Sequence, residues 1–530
     1  MSVFKKKMLI LLLVIMYSIV LLEFSNFLTP FPLLDDSYYH GAAALSIPLE
    51  QRIDESLYGY YSYPTTFIFG GLLCEISHLN GLVFFKIYSI LVSVYISLIG
   101  FLIGKHLFED FSSAILCSIL TVSGAYYFPR WFSPFSLSSI FTMTALYCSL
   151  VLCMKRGPGW SSFIILFIVA GVLSHLGNAT FFSLYLLGLL PLILLKRRGV
   201  LKDTSYFRIL TPIIGFSFCL FLFWNLFIND FQTARFIRDL VNTIVNPPVE
   251  DVVQLFTEVY FRKYDLLSVL RRIYIFSFPS IGLLGALYWS LYGRKRSGVK
   301  FGMFLLLFVA HLFFIMLNVA DYLVRFGFAG GLGIAVRVRW LLYLVSSWWI
   351  TTLIVDFKGY LLEFMEKRLS IALLRKTLWG ILIVMLLLPG TLLFYFNFVD
   401  SAPKVVSDRD IRFNIYLAHF VSANSNLYGY TTQNNILYYY LTSFRGIREA
   451  GLITRQLISM YEAVYPYEDG SLSGILSRMN ILIAVNKARA LSIYSGSEGM
   501  VDTVFSPFNT EKSAVIFDNG DHKIFLKEGG

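Results

Sequence analysis

Apolar runs of 18 or more residues recur along this 530-residue chain, with short clusters of basic residues between them. Each run is long enough to cross a hydrocarbon core of about 30 Å as a helix. The clusters are Lys5-Lys6-Lys7, Lys155-Arg156, Lys196-Arg197-Arg198, Arg294-Lys295-Arg296 and Arg375-Lys376. Only 15% of the residues are charged, against about 25% in soluble proteins, and the mean hydropathy is +0.67. The fold class this predicts is an α-helical polytopic membrane protein.

A net charge of +11 would suit a nucleic-acid partner if it lay on one face. Basic clusters at span ends are instead what the positive-inside rule produces, so the expected partners are membrane lipids and not nucleic acid. The cysteines, Cys74, Cys117, Cys148, Cys153 and Cys219, all lie in apolar stretches. That placement indicates neither a disulfide framework nor a zinc site. Lys5-Lys6-Lys7 followed by Met8 to Leu22 resembles a signal peptide, but no small-residue cleavage site follows. A retained signal anchor is the expectation.

Starting inside, about eleven spans are expected near 8–28, 83–104, 112–128, 134–154, 160–174, 179–195, 208–228, 275–292, 300–320, 337–356 and 377–396. The segment from Tyr63 to Leu79 decides the topology. If it crossed, Lys155-Arg156, Lys196-Arg197-Arg198 and Arg294-Lys295-Arg296 would all fall outside, against the positive-inside bias. Its polar positions Thr65, Thr66, Glu75, Ser77 and His78 suit partial immersion better than full burial. It is therefore read as an interfacial or re-entrant helix of a first external loop covering 29–82.

The transmembrane domain so defined covers 1–400, and hydropathy falls from Asp400 onward. Residues 401–530 are expected to form a small α/β domain on the extracytoplasmic side. Leu427 to Tyr430 and Ile481 to Val485 read as buried strands, and Ile447 to Glu462 as an amphipathic helix. Asn519-Gly520 stands between two short apolar segments, the strongest short hairpin signal, because both residues tolerate the positive φ of a type I′ turn.

Chemistry concentrates at Leu34-Asp35-Asp36-Ser37-Tyr38-Tyr39-His40 in the first loop. Two adjacent carboxylates at a membrane surface are costly unless solvated, paired or bound to a cation. Close carboxylates also push their pKa values apart, so one could serve as a base. The plainer alternative is a helix cap, with Asp35 or Asp36 holding the N-terminus of a helix that starts near Ser37.

The order of elements shifts the weight between these alternatives. The acidic pair is followed by Tyr60-Tyr61-Ser62-Tyr63-Pro64 ahead of the interfacial helix. Gly104-Lys105-His106-Leu107-Phe108 ends the second span, and Tyr126-Tyr127-Phe128-Pro129-Arg130-Trp131 closes the third. This arrangement, over roughly residues 1–200, resembles the GT-C superfamily of polyprenyl-phosphate-sugar-dependent glycosyltransferases. The relatives it is similar to are protein mannosyltransferases, lipid A aminoarabinose transferases and archaeal oligosaccharyltransferases. Asp36-Ser37-Tyr38-Tyr39-His40 is similar to the Asp-x-Tyr-Tyr-His run of the last of these. The chain departs from that pattern in three places. Gly41-Ala42 stand where an Arg often follows, Thr65 replaces a second proline, and Trp348-Trp349 is followed by Ile350 inside a span rather than by an aspartate.

The resemblance implies transfer of a sugar from a dolichyl or undecaprenyl phosphate to a glycan, lipid or protein hydroxyl, with inversion. It implies an extracytoplasmic site in a prokaryotic plasma membrane. Asp36 and then Asp35 become the catalytic candidates, as base or, for Asp36, as ligand of a divalent metal (Mg²⁺ or Mn²⁺). Arg130 is the first cation for the donor phosphate, with an interfacial Arg reaching lipid headgroups as its alternative. Arg337 and Arg339, which begin a span, are further donor-phosphate candidates. His40, His175 and Tyr39 are candidate substrate or metal contacts. Two rival functions remain, a lipid or sugar transporter or flippase, and a non-catalytic membrane scaffold with a binding ectodomain. Charges at span ends and the lack of matching halves speak against the transporter.

Overall fold

The computed structural model describes residues 3–27, 36–50, 64–125, 128–155, 158–175, 266–292, 307–316 and 334–368, parts of 211–224 and of 390–442, and strands of the C-terminal region. The helices are α1 (Val3–Phe27), α2 (Asp36–Glu50), α3 (Thr65–Ser77), α4 (Gly81–Phe108), α5 (Phe111–Ser123), α6 (Pro134–Lys155), α7 (Pro158–Ser174) and α8 (Leu266–Tyr292). They continue with α9 (Leu307–Met316) and α10 (Ile334–Arg368).

Among the described residues, α1, α4, α6 and α8 contain stretches long and apolar enough to cross a membrane. They also expose apolar surface as a membrane span does. Leu9, Leu12, Leu13, Met16 and Val20 of α1 and Phe276, Leu284, Leu287 and Leu291 of α8 are exposed, a surface that water would not tolerate at this size. The protein is an integral membrane protein. The expected spans at 179–195 and 377–396 fall almost wholly outside the described residues.

The chain divides into two compact units, and the first comprises Met1–Phe24, Ser89–Arg130 and Pro134–Phe398. Small residues let its helices approach closely, as helices in lipid do. A Cβ on Gly104 would come within 2.5 Å of Cys117 Cβ, and one on Gly100 within 2.7 Å of Thr121, so α4 and α5 run antiparallel. Ser18 Oγ donates to the Ser93 carbonyl at 2.8 Å, and Ser89 and Ser93 bond Glu23. These pairs make α1 antiparallel to α4. The Lys7 ammonium lies 5.6 Å from the Phe111 ring centroid, which sets the start of α1 beside the start of α5.

The other pairs follow the same pattern. Tyr95 contacts Ile140 and Thr144, and His106 contacts Tyr147, so α6 runs with α4. Ser138 Oγ reaches the Gly171 and His175 carbonyls, while Tyr147 packs on Trp160, so α7 runs against α6. Trp348 Nε1 donates to Thr121 Oγ1 at 3.1 Å and Gly124 abuts the Tyr343 carbonyl, so α10 opposes α5. Finally α8 runs with α10, since Gly282 meets Ser346 and Gly285 meets Trp349.

The second unit comprises Ser25–Tyr88, Trp131–Ser133 and Val399–Gly530. Phe132 fills its core, 4.9 Å from Phe85, 5.3 Å from Tyr88 and 6.0 Å from Phe84 between ring centroids. Helix α3 starts after Pro64 and closes at His78, whose φ of 53° takes the left-handed conformation of a C-terminal cap. Its 13 residues span only about 20 Å.

Five strands pair in this unit: β1 (Asn426–Gly429), β2 (Ile458–Ser459), β3 (Ile481–Asn486), β4 (Ser513–Asp518) and β5 (His522–Lys527). Their order is β2-β1-β3-β5-β4. β1 is parallel to both β2 and β3, while β5 is antiparallel to β3 and β4. The expected helix over Ile447 to Glu462 is corrected at its described part, because Ile458 pairs with Tyr428 in the sheet. A short apolar run fits either period, and here the neighbouring strand decides it.

Candidate active site

Asp36 is the first residue of α2, where the helix dipole favours a negative charge. Its side chain, with those of Ser37 and Tyr39, lies outside the described set, as Asp35 does entirely. The spacing of the helix places Asp36 and His40 on one face, four residues apart.

The rest of the motif holds α2 in place. Tyr38 is fully buried and meets Tyr439 edge-on with centroids 5.9 Å apart. His40 is buried with its ring centroid 5.9 Å from that of Phe67. Burial pushes the His40 imidazole down to about 3, so it is neutral at physiological pH. A Cβ on Gly41 would sit 2.1 Å from the Phe85 ring, so the position that holds an Arg in the similar motif has no room for a side chain here. A Cβ on Gly81 would touch Leu45 and the Tyr439 hydroxyl. Tyr439 of the C-terminal region thus packs directly on the helix that Asp36 heads.

The candidates of the first unit gather at one end of its helices. Phe128, two residues before Arg130, meets Trp340 with centroids 4.9 Å apart, and Trp340 follows Arg339 in α10. The turn that carries Arg130 and the start of α10 therefore lie together. Arg339 is partly buried; Arg337 lies in the same helix, its side chain outside the described set. His175 is buried 5.4 Å from Phe135 at the start of α6, and its carbonyl accepts from Ser138.

Arg130 itself is anchored. Its Nη1 donates to the Leu22 carbonyl and lies 3.6 Å from Glu23 Oε1. Glu23 is 2% exposed and also accepts from Ser89 Oγ at 2.5 Å and Ser93 Oγ at 2.8 Å. The sequence reading missed Glu23. The signal was there, since it is the one acidic residue between Met8 and Leu28, and an ionisable group within a span is a functional candidate by default.

No family model matches this sequence, and no curated protein matches it. Two solved structures that it resembles are of ArnT from Cupriavidus metallidurans. The structure bound to undecaprenyl phosphate is 13% identical at a TM-score of 0.46, with 100% of each chain covered. The apo structure gives the same identity and TM-score over 98% of each chain. A superposition this loose assigns no role to any residue of this chain.

Proposed function

We propose that this chain is a GT-C-type glycosyltransferase that moves a sugar from a dolichyl or undecaprenyl phosphate to a hydroxyl of a glycan, lipid or protein. The transfer takes place on the extracytoplasmic face of a prokaryotic plasma membrane and inverts the anomeric carbon. One observation carries the reading: Asp36 heads a helix in the segment between α1 and α4, and these two helices are antiparallel. Antiparallel neighbouring spans leave and re-enter the membrane on the same side. The segment carrying Asp36 and the short α3 then stays on that side, where the charge pattern puts the exterior.

In the proposed step, an Asp36 carboxylate oxygen, assisted by Asp35, takes the proton of the acceptor hydroxyl. The hydroxyl oxygen forms its bond to the anomeric carbon as the bond from that carbon to the phosphate oxygen breaks. The electron pair leaves with the polyprenyl phosphate, and Arg130, Arg337 and Arg339 stabilise its charge. Tyr39, His40 and His175 would shape the surroundings of the sugar.

Hard cations such as Mg²⁺ take about six oxygen ligands. Among the described residues no three His, Cys, Asp or Glu side chains come together, and the His40 ring lies against Phe67. Asp36, the candidate ligand, has its side chain outside the described set, as Asp35 does entirely; an ion held there would help to polarise the acceptor hydroxyl. Purified protein given a panel of polyprenyl-phosphate monosaccharides should release the lipid phosphate with at least one of them. Failure across the panel would favour the scaffold reading.

A further inference from the structure

We infer that Glu23 is a positioning residue for the donor phosphate, acting through Arg130. This inference rests on the proposed role of Arg130. A guanidinium is a rigid planar group with five N–H donors, so fixing Nη1 fixes the direction of the whole plane. Here Nη1 is held from two sides, by the Leu22 carbonyl and by Glu23. Glu23 is in turn held by the Ser89 and Ser93 hydroxyls, one on each carboxylate oxygen.

The cluster is a chain of constraints. Helix α4 orients the carboxylate, the carboxylate orients the guanidinium, and the guanidinium is presented from the turn before α6. A plain interhelical staple would not need an ion pair, since buried pairs add little net stability over apolar packing. Keeping a carboxylate at 2% exposure is expensive in a membrane span, which points to use of the charge it holds. Pre-orientation matters most for phosphate, because a guanidinium binds it through two parallel bonds in a fixed plane.

The test measures binding of undecaprenyl phosphate alone to the full-length protein in detergent, for wild type, Glu23→Ala, Arg130→Ala and the double variant, with thermal unfolding beside each. Glu23→Ala should weaken binding about tenfold, the size of one charge-assisted hydrogen bond. Arg130→Ala should weaken it at least as much, and the double variant no further than Arg130→Ala. Wild-type affinity in Glu23→Ala beside a weakened Arg130→Ala would overturn the role of Glu23 and leave that of Arg130 intact. Additive losses would overturn it too, since Glu23 would then act independently. Wild-type affinity in Arg130→Ala would overturn the donor-phosphate role of Arg130 itself. If Glu23→Ala does not fold, Glu23→Gln decides, because it removes the carboxylate charge that holds Nη1 at 3.6 Å, beyond hydrogen-bond reach. About threefold weaker binding with a normal unfolding temperature supports positioning, and unchanged binding overturns it.

Discussion

The Glu23 carboxylate lies 3.6 Å from the Arg130 guanidinium, joining the first helix of the chain to the turn that follows α5. Removing one partner leaves the other buried and uncompensated. Arg130→Ala should destabilise the protein by about 2–3 kcal/mol, less than the roughly 3–5 kcal/mol for a fully buried pair, since the Arg130 side chain keeps 16% exposure. Glu23→Ala with Arg130→Ala should recover part of that loss. Thermal unfolding in a fixed detergent would show it, and a double variant less stable than Arg130→Ala would refute the uncompensated-charge account.

The same cluster bears on topology. Glu23 near the end of α1 bonds Ser89 and Ser93 near the start of α4, so both spans meet the same side of the membrane there. Cysteines placed at 105–108 should label from the cytoplasm, and cysteines after 400 from outside. External labelling at 105–108 would mean that α3 crosses.

Much of this was legible from the chain itself, in the places where the signal is local. The Asn519-Gly520 pair separates β4 from β5, and Asp518 pairs with Lys523 across them. The α3 segment fell within Tyr63 to Leu79 because Pro64 and a polar end bound it. Ion pairs between distant residues have no such signature. Arg130 was visible as a cation at a span end, yet its partner lies in α1, and no period or spacing links the two. The segment at 458–459 failed for a related reason, since β2 exists only because β1 stands beside it.

Gly41 marks a place where backbone contact replaces a side chain. A Cβ there would approach Phe85 to 2.1 Å, so Gly41→Ala should cost about 1–3 kcal/mol by overpacking. Phe85→Ala introduced with it should relieve the clash, and the pair should be less destabilised than the sum of its parts. Additive losses in thermal unfolding would show that the two positions do not meet.

His40 gives a pH dependence with a definite sign. Burial holds it down to about 3, against about 6.5 in the unfolded chain. The unfolded state therefore binds a proton first as pH falls. The stability this neutral imidazole provides is complete above about pH 6.5 and declines towards pH 3, by up to about 1.4 kcal/mol per unit. His40→Gln should flatten the stability profile between pH 6 and pH 4 relative to wild type. Parallel profiles would mean that His40 is solvated in the folded protein.

Asp36 carries the enzymatic reading, and its position at the head of α2 permits two roles with different consequences. As a helix-terminal charge it would stabilise α2 through the dipole, a contribution of about 0.3–1 kcal/mol. As a general base it would set the rate of transfer. Asp36→Asn keeps the size and the acceptor oxygen while removing charge and basicity. Turnover of the polyprenyl-phosphate sugar should fall by about 10²–10⁴-fold, with undecaprenyl phosphate binding and thermal unfolding close to wild type. Asp35→Asn should fall by less if it only assists. A chelator separates the two versions of that role: unchanged turnover would make Asp36 a bare base, and loss restored by Mg²⁺ or Mn²⁺ would make it a metal ligand. Wild-type turnover in both Asn variants would leave the pair with a capping role alone, and the chain would then be better read as a scaffold whose helices have kept the architecture without the chemistry.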